Sequence, residues 1–187
     1  MLRRIVVIIA ALCLMTTAMA DIPAKDRTTL HSGYDATTLV PEEMINAILS
    51  AAFSMPTGGG QRALEFFVVT DRSTMQEMKG GNPWSQALDT APCVIVVTAD
   101  GDSAYYDELL EMDAGIAAGA MLIQAADLGL TTCILSIAPQ EERIRSVRTA
   151  LETDTLPILM MAVGYPAVDT YSSASVDGWN DAQVHWK

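Results

Sequence analysis

Four short apolar runs, rich in β-branched residues and separated by segments of helical character, restrict this chain's fold more than any other feature. They cover residues 64–69, 92–98, 131–137 and 156–163. Each is shorter than an ordinary helix, and β-branched side chains pack well on a pleated surface. The second is apolar throughout, which fits a strand covered on both faces. Strands alternating with helices imply a layered α/β or α+β domain.

The intervening segments carry helix signals. Pro41-Glu42-Glu43 suits a first turn, and Met44, Ile45, Ile48, Leu49 and Ala52 then recur on one helical face before Pro56. A small helix is expected over residues 73–78, broken by Gly80-Gly81, and another from Asn82-Pro83-Trp84 to 88. A long helix is expected over 105–128, stopped by Gly129. Its cluster Ala114, Gly115, Ala117, Ala118, Gly119 and Ala120 would let another helix approach closely. A further helix runs from Pro139-Gln140-Glu141-Glu142 to 150. Residues 167–187 are polar but end on Trp179, Val184, His185 and Trp186, which suggests a docking tail.

The first twenty residues read as a secretory signal peptide. Arg3 and Arg4 precede an apolar run, and Ala18-Met19-Ala20 offers a small-x-small cleavage site before Asp21. An uncleaved anchor is the competing reading; the cleavage site favours removal. The expectation is an exported protein, periplasmic or extracellular, with residues 21–187 as a single domain. No later run is expected to insert stably in a membrane.

Removing the leader's two arginines takes the net charge from −12 to −14. Such a surface repels phosphate backbones, so nucleic acid is not an expected partner. The mature chain keeps Cys93 and Cys133, both within apolar runs, where a cysteine acts as a small buried hydrophobe. Only His31 and His185 are available as histidine ligands, in no metal-binding spacing, so no metal site is expected. No G-x-S-x-G turn is present. The stretch Thr57-Gly58-Gly59-Gly60-Gln61-Arg62 lacks the Lys-Ser/Thr of a phosphate-binding loop and leads into a strand rather than a helix. Three glycines lose much chain entropy on ordering. Backbone exposed to a ligand would justify them; an ordinary surface loop is an equally good explanation from the triplet alone.

Taken in order, from about Tyr34 onward, the chain resembles the nitroreductase family. Pro56, Thr57, Gly60 and Arg62 with the strand after them match the family's proline-serine loop in outline. The Pro-Thr-Gly-Gly-Gly form is similar to the branch that includes SagB-type dehydrogenases. Pro83-Trp84 matches, as do Ala91, Pro92, Val94, Val96, Val97, Ala99 and Asp100 of the second strand. The long helix matches through Asp113, Gly115, Ala117, Leu122, Ala125, Gly129, Leu130, Thr132 and Cys133. Gly164-Tyr165-Pro166 and Val184-His185-Trp186 resemble two further family segments.

The resemblance implies an α+β three-layer sandwich. A mostly antiparallel sheet of four to five strands would lie between helices, with the long central helix at a homodimer interface. It implies an FMN-dependent oxidoreductase working by a ping-pong cycle, in which NAD(P)H or another donor reduces the flavin and a small molecule takes the electrons. The cofactor wall it implies is Thr57, Gly58, Gly59, Gly60 and Arg62, faced by Ser136 and Ile137 through their backbone N–H groups.

The departures cluster where the family grips the FMN phosphate. The stretch Leu30-His31-Ser32-Gly33-Tyr34 has no arginine. Gly60 and Arg62 stand at the family's Asn and Gln, and Gly119-Ala120 at its Gln-Asn pair. Ser175-Val176-Asp177 replaces its C-terminal cation, and Leu135-Ser136-Ile137-Ala138 its glycine-containing loop near flavin N5. Arg62, Arg27 and Lys187 are the candidate replacements for the lost phosphate contacts. The alternative reading is a degenerate, non-catalytic dimer that has lost FMN and serves as a binding module.

Overall fold

The computed structural model describes residues 32–167 and 181–186. The expected leader, Arg27, His31, Trp179 and Lys187 lie outside the described residues.

The four apolar runs form the four strands of one sheet: β1 (Leu64–Val69), β2 (Cys93–Ala99), β3 (Thr131–Ser136) and β4 (Leu156–Gly164). The order is β1-β2-β4-β3, and every neighbouring pair is antiparallel. Helices α1 (Glu42–Phe53), α2 (Arg72–Glu77), α3 (Leu110–Asp127) and α4 (Glu141–Leu151) complete the described framework. The fold is α+β.

Strand alternation divides the interior into two cores. Cys93, Ile95, Val97 and Ala99 of β2 face α1 and α3, together with Ile48, Ala114, Ala117 and Met121. Val94 and Val96 face the opposite side, where Met75, Met78, Ile144 and Val147 pack from α2 and α4. With both faces covered, β2 is buried along its whole length, in keeping with a sequence that is apolar but for Thr98. The result is three layers, helices on each side of the sheet.

Local rules set most boundaries. Pro41 sits at the N-cap of α1 with φ −58, and two glutamates follow in the first turn. The Asp71 side chain accepts the Thr74 N–H and caps α2. Residues 82–88, expected to be helical, form a 3₁₀ turn over Ser85–Asp89. The long helix starts five residues later than expected. Tyr105 and Tyr106 lie before it, and a 3₁₀ turn at Asp107–Leu109 leads into Leu110. A side chain from elsewhere holds their backbone, as described below.

By length and hydropathy alone, the stretch Asp107–Asp127 is long and apolar enough to cross a membrane. Alanine, methionine and leucine give it that composition. In the fold one face packs on α1 and the sheet, and Asp113 is buried in polar contacts. The other face exposes Met112, Ile116 and Ile123, and a Cβ added at Gly115 or Gly119 would meet nothing within 4 Å. Ala118 of the small-residue cluster is buried in the core, and Leu122 packs partly against it.

Candidate functional site

Pro56 to Arg62 crosses from the end of α1 to the start of β1. Gly58–Gly60 forms one 3₁₀ turn, with φ of +61 at Gly59 and +75 at Gly60. Both values lie in the left-handed region that favours glycine. The Thr57 hydroxyl donates to the Gln61 carbonyl and closes the turn.

Close packing explains two of the three glycines. A Cβ at Gly58 would lie 2.4 Å from Leu109, and one at Gly59 would lie 2.6 Å from the Tyr106 ring. Gly60 differs: it is exposed like Gly59, but a Cβ there would meet nothing within 4 Å. The open end of the turn is therefore at Gly60, two residues before Arg62.

Behind the turn lies a buried polar network that sequence reasoning missed. The Gly58 N–H donates to Asp113 Oδ1 at 2.8 Å, and Gln61 Nε2 donates to Asp113 Oδ2 at 3.0 Å. Gln61 Oε1 accepts the N–H groups of Tyr105 and Tyr106 at 3.0 and 3.1 Å, and Nε2 also reaches the Tyr106 carbonyl at 3.3 Å. Gln61 and Asp113 are each only 2 % exposed. In the sequence, Asp113 stood only among the long helix's family matches and Gln61 only as a loop residue. Only the tertiary approach of α3 to the loop joins them.

Arg62 is exposed, and its guanidinium donates to the Phe53 carbonyl at 3.1 Å, at the last turn of α1. A cation there also suits the negative end of that helix. Ser136 and Ile137 lie at the other edge of the sheet. The register puts Leu64, Ala99, Leu156 and the end of β3 at the same end of the sheet. β1 and β3 are three strand spacings apart, about 14 Å. Thr57 to Arg62 thus form one cluster, and Ser136 with Ile137 a second one across the sheet edge.

In that second cluster Ser136 is exposed and Ile137 fully buried. The Ile137 N–H, expected to face the cofactor, donates to the Ile158 carbonyl at 3.0 Å, and so does the Ala138 N–H at 3.1 Å. β4 has taken those donors. A different group marks this edge. Arg143 donates to the Ser136 carbonyl and hydroxyl at 3.2 and 3.3 Å, and to the Gly81 carbonyl at 3.3 Å. Nothing local to Arg143 marks it, because Gly81 lies 62 residues away.

Between the two clusters, at the ends of β2 and β4, is a cavity of about 340 Å³ whose lining includes Asp100, Asp102, Asp154 and Arg148. Three carboxylates around one guanidinium disfavour an anionic group there. The thiols offer no nucleophile. Burial pushes Cys133 up to about 11 and Cys93 up to about 12, so both are neutral at physiological pH. Among the described residues no cluster of His, Cys, Asp and Glu could hold a metal ion.

Comparison with known proteins adds a family likeness to this geometry. Residues 76–165 match the model of the Nitroreductase family. A protein of Archaeoglobus fulgidus, provisionally named an NADH dehydrogenase/NAD(P)H nitroreductase, is 29% identical over 149 residues, covering 78% of this chain and 86% of that one. A provisionally named NADH oxidase from Clostridium acetobutylicum superposes with a TM-score of 0.80 at 28% identity, covering 88% of this chain and 98% of that one. An FMN-dependent nitroreductase from Clostridium difficile superposes with a TM-score of 0.73 at 25% identity, covering 87% and 96%.

Proposed function

We propose that the chain is a member of the nitroreductase family, an FMN-dependent oxidoreductase that passes electrons from NAD(P)H or another donor to a small-molecule acceptor. The relatives named as NAD(P)H nitroreductases and as FMN-dependent support that reading. One structural observation carries it: the glycine turn has an open end at Gly60, two residues before the exposed Arg62. Bare backbone admits a flat ring or ribityl chain closely, and a guanidinium suits a phosphate or the electron-rich edge of a reduced flavin.

Bound there, FMN would supply two-electron redox chemistry in two half-reactions, donor first and acceptor second. The chain's own contribution is orientation and charge. Thr57 to Gly60 shape the wall, and Arg62 supplies a cation against the net charge of −12. At the other edge the fit is with the Ser136 hydroxyl and the Arg143 guanidinium, rather than with the Ile137 N–H.

The same reading includes a homodimer. The outward face of α3 carries Met112, Ile116, Gly119 and Ile123 at helical spacing, an apolar stripe that a second copy would bury. Export to the periplasm or beyond completes the proposal, with Asp21 as the first mature residue; it rests on the leader pattern alone. The packing of Gly58 and Gly59 against Leu109 and Tyr106 favours a second reading, a fold-retaining relative without flavin, since the chain's own atoms then account for both glycines. The protein's absorbance after gentle purification separates the two. Flavin bands, or their recovery on adding FMN, support the oxidoreductase. A colourless protein that takes up no FMN supports the second reading.

A further inference from the structure

The polar network behind the glycine turn has a cost that ordinary packing does not explain. Gln61 and Asp113 are both removed from water, and a buried carboxylate is expensive unless its hydrogen bonds are made. Asp113 Oδ1 and Oδ2 accept from the Gly58 N–H and from Gln61 Nε2. The Gln61 side chain holds three backbone groups of Tyr105 and Tyr106. Yet the segment held this way is an exposed one: Tyr105 is 82 % and Tyr106 47 % exposed. Apolar burial therefore does not fix it. The two side chains join the glycine turn, the start of α3 and the tyrosine segment into one unit. That unit is what forces Tyr106 against Gly59, where only a glycine fits.

We propose that Gln61 and Asp113 are a positioning pair: together they hold the glycine turn and the Tyr105–Tyr106 segment as one rigid wall, so that the backbone at Gly59–Gly60 meets its ligand in a single geometry. The function assigned to this wall rests on the FMN reading above; the coupling of its two segments does not. Pre-organisation of this kind raises affinity by removing the ordering cost from the binding step.

The hydrogen-bond polarity gives a direct test. In Gln61→Glu, a carboxylate would face the Asp113 carboxylate at the 3.0 Å now spanned by an amide, and like charges there repel. In Asp113→Asn, an amide NH₂ would have to avoid the amide NH₂ of Gln61, or turn and lose the Gly58 contact. The double exchange Gln61→Glu/Asp113→Asn restores complementarity with the polarity reversed. The new carboxylate still accepts from Tyr105 and Tyr106, and the new amide accepts from Gly58 and donates across the pair. Only the long bond to the Tyr106 carbonyl is lost.

Two readouts are needed on the full-length protein. Amide hydrogen exchange, without FMN, should show faster exchange at Gly58, Tyr105 and Tyr106 together in each single variant, with protection regained in the double exchange. FMN titration should show affinity lowered at least tenfold in each single variant and restored to within about threefold in the double. Exchange that rises at Gly58 but not at the tyrosines, or is not regained in the double, overturns the coupling. Single variants that loosen both segments yet bind FMN as the parent does overturn the positioning role. Failure of the parent protein itself to bind FMN is a separate result: it removes the cofactor reading and the ligand half of this proposal, while exchange still decides the coupling.

Discussion

The guanidinium of Arg143 donates to both the carbonyl and the hydroxyl of Ser136, at 3.2 and 3.3 Å, and ties the end of β3 to the first turn of α4. Its Nε reaches the Gly81 carbonyl as well, 62 residues away, so three segments meet on one side chain. These are charge-assisted bonds at an exposed site, where solvent screening reduces their worth. Arg143→Ala is expected to cost about 1 kcal/mol in urea unfolding. Lysine, a point charge without a planar fork, should recover less than half of that. Full recovery by lysine would show that only the charge matters.

Gly59 and Gly60 should respond differently to alanine. Both have positive φ, but only Gly59 lies against a ring, with a Cβ placed 2.6 Å from Tyr106. Gly60→Ala should cost about 1 kcal/mol, the backbone strain alone. Gly59→Ala should cost more, and Tyr106→Ala in the same chain should return it towards the Gly60→Ala value. Thermal or urea unfolding of the four proteins checks this; equal costs at the two glycines would contradict the packing account.

The two cysteines should be inert in the folded protein. Neither is in a disulfide, and burial raises both thiols above their ordinary 9.0, to about 11 and about 12. A thiol reagent at pH 8 should label neither until the protein unfolds. Because the folded-state values are raised, the stability contributed by the neutral thiols is fully present below pH 9. It is lost as pH rises through about 11 and about 12. Rapid labelling under native conditions would show that the sheet opens.

Substitution on the outward face of α3 should separate assembly from folding. Ile116→Glu places a charge in the exposed stripe, and Ile116 is outside both cores. If the stripe is the dimer contact, sedimentation at micromolar concentration should change from dimer to monomer with unfolding little altered. A parent protein that is already monomeric would remove the dimer from the account.

What was legible in the sequence, and what was not, follows from the range of the forces involved. The four strands could be read because β-branched, apolar runs need only local sequence to declare themselves. The start of α3 could not, since Tyr105 and Tyr106 look helical until Gln61, more than forty residues earlier, takes their N–H groups. The phase of α3 was also hidden. A helix with small or apolar residues on most sides has no clear polar stripe to orient it, so composition did not show that Ala114, Ala117 and Ala118 turn inward while Gly115 and Gly119 face open space. At the site, the glycine turn and Arg62 stood out by composition. Asp113 and Arg143 did not, because Gly58, Gln61 and Gly81 reach them from distant segments.

Arg62 follows the open end of the glycine turn by two residues, and one of its guanidinium nitrogens donates to the Phe53 carbonyl. The decisive measurement is FMN titration into parent and Arg62→Ala apo-protein, with the melting temperature of each recorded alongside. Loss of one exposed helix-end contact should lower the apo melting temperature only slightly. FMN affinity should fall tenfold or more, about 1.4 kcal/mol or greater. Equal affinities for the two proteins would take Arg62 out of the site, and no binding to either would contradict the FMN reading itself.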